Sequence, residues 1–288
     1  MQKYIILFLF LIASILGFSF LFSTKKSPEP KDLGLGSAEA RKNKLFVLVV
    51  ASDDRAYYRQ LQELWKSYMN YDPEHVEIYF MKSDKKLPKN FILTEDEIWT
   101  KTKDCFVPGV LNKTILSFEA MLPRIRKEFD YVLRTNLSSF YVFPRLLKFM
   151  ETLPQKRCYC AVKARASDIP FGAGAGFILS PDMVELLVQN KNRLLNSDWH
   201  ADDVVIGDFF FKNGIDIIPS ARLDFLSREK WETQQGGYLD SVPYPEYRFV
   251  KGIPDEVFHF RLKQDDDTKR DSDELFIYQA LIKQFYRC

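Results

Sequence analysis

Residues 45–50 read LFVLVV, six apolar residues in a row with no alternation. A segment so short and so uniformly apolar fits a strand buried on both faces, inside a sheet with helices on either side. Further strand-like runs follow at 76–80 (VEIYF), 130–134 (DYVLR), 158–163, 176–179, 215–218 and 257–261. Between them lie helical periods. One carries Tyr58, Leu61, Leu64, Trp65 and Tyr68 at i, i+3, i+4 spacing, and 112–129 places Ile115, Phe118, Leu122 and Ile125 on one stripe. A short helix is expected at 144–152. Ser180-Pro181-Asp182 starts another, with Ser as N-cap, Pro at the first helical position and an acid in the first turn. A further helix spans 203–212 and stops near Asn213-Gly214. Strands alternating with helices predict an α/β fold with a mainly parallel sheet flanked by helices. On such sheets ligands bind at the carboxyl ends of strands.

Ahead of this pattern, residues 4–22 form 19 residues without a charge. At about 1.5 Å per residue, a helix of that length nearly matches a hydrocarbon core of roughly 30 Å. The run exceeds a signal-peptide core and no clean A-x-A site follows, so one uncleaved transmembrane anchor over 1–22 is expected. Residues 23–44 hold Pro28, Pro30, Gly34 and Gly36 without an apolar period and read as a flexible stem. The folded part runs from 45 to 288. Lys25, Lys26 and Lys31 against Lys3 mildly favour a cytoplasmic folded part, whereas anchored sugar-modifying enzymes commonly face the lumen of the ER or Golgi; both orientations stay open. Hydrophobic residues at 46% exclude a mostly disordered chain, and a net charge of +2 gives no support for a nucleic-acid partner. Four cysteines are too few for a disulfide-built scaffold.

The most informative segment is 133–147, LRTNLSSFYVFPRLL, a buried strand ending in Arg134-Thr135-Asn136, then small hydroxyls, then apolar residues. It resembles the segment around the DxD motif of Fringe-like and β-1,3-galactosyltransferase-like enzymes, approximately LLKTDDDVFVNVPNLL. Arg134 falls on the basic residue, Thr135 on the Thr, Phe140 on the Phe and Pro144 on the Pro. The three acids fall on Asn136, Leu137 and Ser138. In that family the carboxylates hold Mn²⁺, which bridges the donor diphosphate. Asn136 and Ser138 offer neutral oxygens, so metal dependence is in question. The resemblance leaves either no cofactor or Mn²⁺, with Asn136, Ser138 and His259 as weak ligand candidates.

Three other segments follow in the family's order. GAGAGFILS at 172–180 is similar to its GGGYVLS element, with glycines that precede a strand and let a backbone approach a ligand. His200-Ala201-Asp202-Asp203-Val204-Val205-Ile206-Gly207 opens an apolar helix with two acids, which the helix dipole alone would favour. It resembles the family's PDDxTxG and EDVxxG, where an acid takes the acceptor's proton. This implies Asp203 as base and Asp202 as cap or acceptor contact, with the two exchangeable. His259-Phe260-Arg261-Leu262-Lys263 puts three potential cations on one strand face, suited to a diphosphate. Ser52 and Asp53 after the first strand, and Lys113 in a run similar to Asn-Leu-Thr-x-Lys-Thr, are further donor contacts that the resemblance implies. The family's Arg of the I-R-x-T-W element is Gln62 here, and Trp65 reads as core. Cys158 and Cys160 share a strand face with no partner pair at zinc spacing. Asn136-Leu137-Ser138 and Asn112-Lys113-Thr114 are also glycosylation sequons.

The resemblance implies a GT-A-type, nucleotide-sugar-dependent glycosyltransferase on a single anchor, moving a hexose or N-acetylhexosamine to a glycan or glycoprotein hydroxyl with inversion. Two other classes remain open: a catalytically inactive carbohydrate-binding or scaffold protein derived from such an enzyme, and a nucleotidyl- or phosphotransferase on the same fold.

Overall fold

The protein is described by a computed structural model covering residues 43–196, 201–225, 227–233, 238–241, 247–249, 252–262 and 268–287. The apolar run 4–22 and the tether up to residue 42 lie outside the described residues. Among the described residues no helix is long and apolar enough to cross a membrane.

In chain order the elements are β1 (Leu45–Val50), α1 (Ala56–Met69), β2 (Val76–Ser83), β3 (Phe91–Leu93), β4 (Glu97–Thr100), α2 (Gly109–Glu128), β5 (Tyr131–Asn136), β6 (Ser139–Tyr141) and α3 (Phe143–Met150). They continue with β7 (Tyr159–Ala166), β8 (Ile169–Leu179), α4 (Pro181–Gln189), α5 (Lys191–Leu195), α6 (Asp202–Lys212), β9 (Ile218–Pro219) and β10 (Ala221–Phe225). The last are α7 (Arg228–Glu232), β11 (Tyr238–Ser241), β12 (Tyr247–Phe249), β13 (His259–Leu262) and α8 (Arg270–Phe285). The fold is mixed α/β.

β1 explains its own composition. Leu45, Val47 and Val49 enter a core shared with residues of α1, α3 and α8, while Phe46 and Leu48 enter a second core with α2, α4 and α6. Both faces are buried, so neither admits a polar residue.

The large sheet has the order β3-β4-β2-β1-β5-β8-β7-β9. It is mixed rather than mainly parallel. β4, β2, β1 and β5 form a parallel block, but β8 pairs antiparallel with both β5 and β7. β7 and β8 are joined by Ser167-Asp168, and a connection that short permits only an antiparallel pair. The glycine run does not precede a strand. Gly172, Gly174 and Gly176 lie within β8, whose eleven residues extend well beyond the apolar stretch that marks it in the sequence.

A second sheet, absent from the sequence reading, has the order β12-β11-β10-β13-β6. The chain passes from the first sheet to the second between β5 and β6, across Leu137 and Ser138. There β13 lies antiparallel to β6, with Arg261 opposite Ser139. The C-terminal helix α8 closes this side, burying Ile277, Tyr278, Leu281 and Ile282.

Candidate functional site

Because Val50 of β1 is paired with Asn136 of β5, the loops leaving both strands start at the same sheet edge. A cleft of about 420 Å³ opens there. Ser52 and Asp54 line it from the first loop, Asn136, Leu137 and Ser138 from the second, and Lys113 from α2. Arg261 reaches it from β13 and Arg270 from the start of α8. Tyr57, Tyr58 and Phe106 add aromatic surface, and Phe106 is 72% exposed.

The turn at 136–138 is fixed from below. Trp65 is fully buried and donates from Nε1 to the carbonyl of Leu137 at 3.1 Å, so this tryptophan is core and also sets the cleft floor. Ser138 Oγ donates to Asn136 Oδ1 at 3.1 Å, and Asn136 Nδ2 lies 3.4 Å from the carbonyl of Gly174.

Lys113 does not lie on a solvated helix face. It is 1% exposed and donates from Nζ to the Ala51 carbonyl at 2.7 Å and to Asp104 Oδ1 at 2.9 Å. Burial pulls its pKa below the ordinary lysine value, and Asp104 opposes that shift. Ser52 Oγ lies between Asp54 Oδ1 at 2.8 Å and Asp104 Oδ2 at 2.7 Å.

Asp53 is adjacent but does not line the cleft. Its carboxylate accepts from Lys82 at 2.9 Å and Gln62 at 3.0 Å. Although burial works the other way, those two donors hold its pKa below the ordinary aspartate value. Gln62, where the resembling family has Arg, also donates to the Ser52 carbonyl at 3.0 Å and so braces the loop.

The basic residue of the DxD-like segment does not face the cleft. Arg134 is 3% exposed, forms an ion pair with Asp202, and donates from Nη1 to the Gly174 carbonyl at 2.5 Å. Asp202, 4% exposed, is therefore the counter-ion of a buried arginine rather than a helix cap or an acceptor contact. Burial pushes its carboxyl up and Arg134 opposes that. Asp203 is less buried than its neighbour. Its Oδ2 accepts from the Gly174 backbone N–H at 2.8 Å, and its Oδ1 accepts from the Val204 N–H at 2.9 Å. Gly174 thus links Asp203, through its N–H, to Asn136 at the cleft wall, through its carbonyl. A Cβ on Gly174 would stand 2.6 Å from Asp203 Oδ2, so only glycine allows this approach.

His259 is not a third cation. It is 3% exposed, stacks on Tyr141 at 4.4 Å and shares a 3.1 Å hydrogen bond with Tyr141 Oη. Burial, together with Arg222 and Arg261, holds its pKa well below 6.5, so the ring is neutral. Side chains that alternate along a strand share a face, but that face here splits between core and cleft. Lys263 and His200 lie outside the described residues.

Mn²⁺ requires charged oxygen ligands. Asn136 and Ser138 offer neutral oxygens that hydrogen-bond to each other, and His259 is bound to Tyr141 away from the cleft. Among the described residues no group of three His, Cys, Asp or Glu side chains is placed to hold an ion. The candidate ligands do not fit the metal.

No family model and no curated protein matches this sequence. Two of the solved structures similar to it are glycosyltransferases. One is a glycosyltransferase involved in the glycosylation of the major capsid of PBCV-1, at 8% identity and a TM-score of 0.45, covering 81% of this chain and 99% of that one. Another is the apo-form glycosyltransferase GlyE of Streptococcus pneumoniae TIGR4, at 16% identity and a TM-score of 0.36, covering 62% of this chain and 45% of that one. At such scores any assignment of function rests on the site's geometry.

The sequence reading missed Asp104, Arg270, Glu274, Tyr57 and Phe106. Asp104 and Phe106 sit in a stretch without periodicity, and Arg270 follows an acidic run that reads as a solvated loop. Glu274 is 1% exposed, bonds Tyr57 Oη and accepts from Arg270 Nε at 3.1 Å. The spacing of Arg270 and Glu274 at i, i+4 on a helix was the available signal.

Proposed function

We propose that this chain is a membrane-anchored, GT-A-like glycosyltransferase that moves a sugar from a nucleotide sugar, with a uridine diphosphate sugar as donor, to a glycan or glycoprotein hydroxyl. One observation carries the reading: the cleft at the carboxyl ends of β1 and β5 combines aromatic surface, suited to a base, with cationic side chains, suited to a diphosphate. Asp203 stands beside it, tied through Gly174 to Asn136.

The reaction is an inverting displacement. The acceptor oxygen attacks the anomeric carbon as Asp203 takes its proton, the bond to the diphosphate oxygen breaks, and the nucleoside diphosphate leaves toward the cleft's cations. Ser52, Asn136, Ser138 and Arg261 line the cleft and serve in this reading as donor contacts, while Lys113 lines it with its charge taken by Asp104. Arg134 and His259 do not, because Asp202 neutralises one and burial discharges the other.

Nucleotide release measured on the full-length chain in detergent across a panel of donors tests this. At least one donor is expected to turn over, and Asp203→Asn is expected to lower kcat by about 10²–10⁴-fold with donor binding kept. Full activity in that variant rejects the base. The substitution of the family's acids by Asn136-Leu137-Ser138 favours the competing reading, a non-catalytic carbohydrate-binding protein, and sugar binding without turnover of any donor would select it.

A further inference from the structure

The resembling family's ion has no ligand set here, yet the diphosphate it would neutralise carries the same charge. What the cleft has instead is Arg261. Its guanidinium has no carboxylate partner and no hydrogen bond among the described residues, and its Nε is buried without an acceptor. A half-buried arginine in this state is unusual, because an unpaired buried charge is costly.

Its cationic neighbours each have a carboxylate. Lys113 is matched by Asp104, and Arg222 is held by both oxygens of Asp224 at 2.5 and 2.9 Å. Arg270 is bound through Nε to Glu274 while lining the same cleft. The fold places Arg261 deliberately: β13 is antiparallel to β6, Arg261 lies opposite Ser139, and the next backbone N–H, from Leu262, donates to the Ser138 carbonyl at 3.0 Å. The guanidinium is thereby fixed beside the turn where the family has its acids.

We infer that Arg261, with Arg270, is an anion clamp that binds the pyrophosphate of a nucleoside diphosphate without a divalent cation. A guanidinium offers a planar fork of donors matched to phosphate oxygens, so it supplies both charge and direction where an ion would supply charge alone. This rests on the nucleotide-sugar reading above and deepens it.

Burial and the nearby Arg222 lower the pKa of Arg261, consistent with a cation held in place before its counter-ion arrives. Binding relieves that cost, so the clamp is preorganised. Asp224 and Glu274 oppose that shift without forming an ion pair with Arg261, and the carboxylates that line the cleft are engaged elsewhere: Asp104 serves Lys113, and Asp54 turns to Ser52.

The test is calorimetric titration of the full-length chain in detergent with uridine diphosphate and with inorganic pyrophosphate, each in EDTA and in Mn²⁺. Both probes are expected to bind in EDTA, with affinity changed less than about threefold by Mn²⁺, since a guanidinium needs no added ion. Arg261→Met is expected to weaken both by at least about tenfold, the loss typical of a charge-assisted contact, with no fall in melting temperature in the absence of anion.

Binding seen only with Mn²⁺ overturns the clamp and leaves the transferase reading standing. Binding in neither condition also overturns it, and the donor panel then decides the transferase reading on its own. Unchanged affinity in Arg261→Met removes Arg261 from the site. Should that variant fail to fold, Arg261→Lys carries the test: a point charge without the fork is expected to bind more weakly, and undiminished affinity overturns the proposal.

Discussion

Arg134 and Arg261 stand on strands that meet at the same turn, but Arg134 is buried, Arg261 is half-buried beside the cleft, and their surroundings differ in kind. Around Arg134 the charge is matched, although its Nε, like that of Arg261, is buried without an acceptor: Asp202 pairs with it, Gly174 accepts from it, and the Phe177 ring lies 5.6 Å from its guanidinium carbon. Around Arg261 no ion pair forms among the described residues. A charge satisfied from within holds a fold together, whereas one left unsatisfied beside a cleft is available to something from outside. Sequence resemblance assigned both to the donor, and the counter-ion separates them.

The sharpest way to break this contrast is to open the closed side. Asp202→Asn leaves Arg134 buried without a counter-charge and is expected to cost about 3–5 kcal/mol in urea unfolding. Replacing both partners with apolar residues of similar volume should recover much of that loss, because desolvation of the pair is then avoided. A loss below about 1 kcal/mol in the single variant would mean that Arg134 is as open as Arg261.

Gly174→Ala probes the seam between the two regions. Its Cβ would meet Asp203 Oδ2 at 2.6 Å, and crowding of this kind costs about 1–3 kcal/mol. Turnover is expected to fall with stability, since the displaced carboxylate is the proposed base. Stability lost with kcat unchanged would detach Asp203 from the chemistry.

The smallest effect concerns His259, buried against Tyr141. Its folded pKa lies below the unfolded value of about 6.5, so the unfolded chain binds the proton first. The stability this residue contributes is present above pH 6.5 and is lost as pH falls toward the folded pKa. The expected slope is at most about 1.4 kcal/mol per pH unit. Urea midpoints between pH 7.5 and 5.5 should show a fall that His259→Gln reduces. An unaltered slope in that variant would place the ring in solvent.

Parts of this arrangement are legible in the chain. The uninterrupted apolar run of β1, the stripe of α2 and the Ser180-Pro181 helix start specify themselves, because each depends only on period and local capping. So does the placement of Ser52 and Asn136 at one sheet edge, which follows from strands that run parallel. The mixed sheet was not legible, because antiparallel pairing of β8 depends on the two-residue connection at Ser167-Asp168 and on glycines that read as a loop. Nor was the second sheet, whose short strands give too little alternation to register.

The period of apolar side chains along the backbone was enough to mark β1, β2, β5, α1 and α2, and with them the sheet edge where Ser52 and Asn136 lie. Which partner each charge has waits on the folded chain. Pairing depends on distances between residues far apart in the chain: Asp202 reaches Arg134 across 68 positions, and among the described residues no carboxylate forms an ion pair with Arg261. Coulomb energy and desolvation act through space, so the roles of these two arginines are settled when the sheets close and not before.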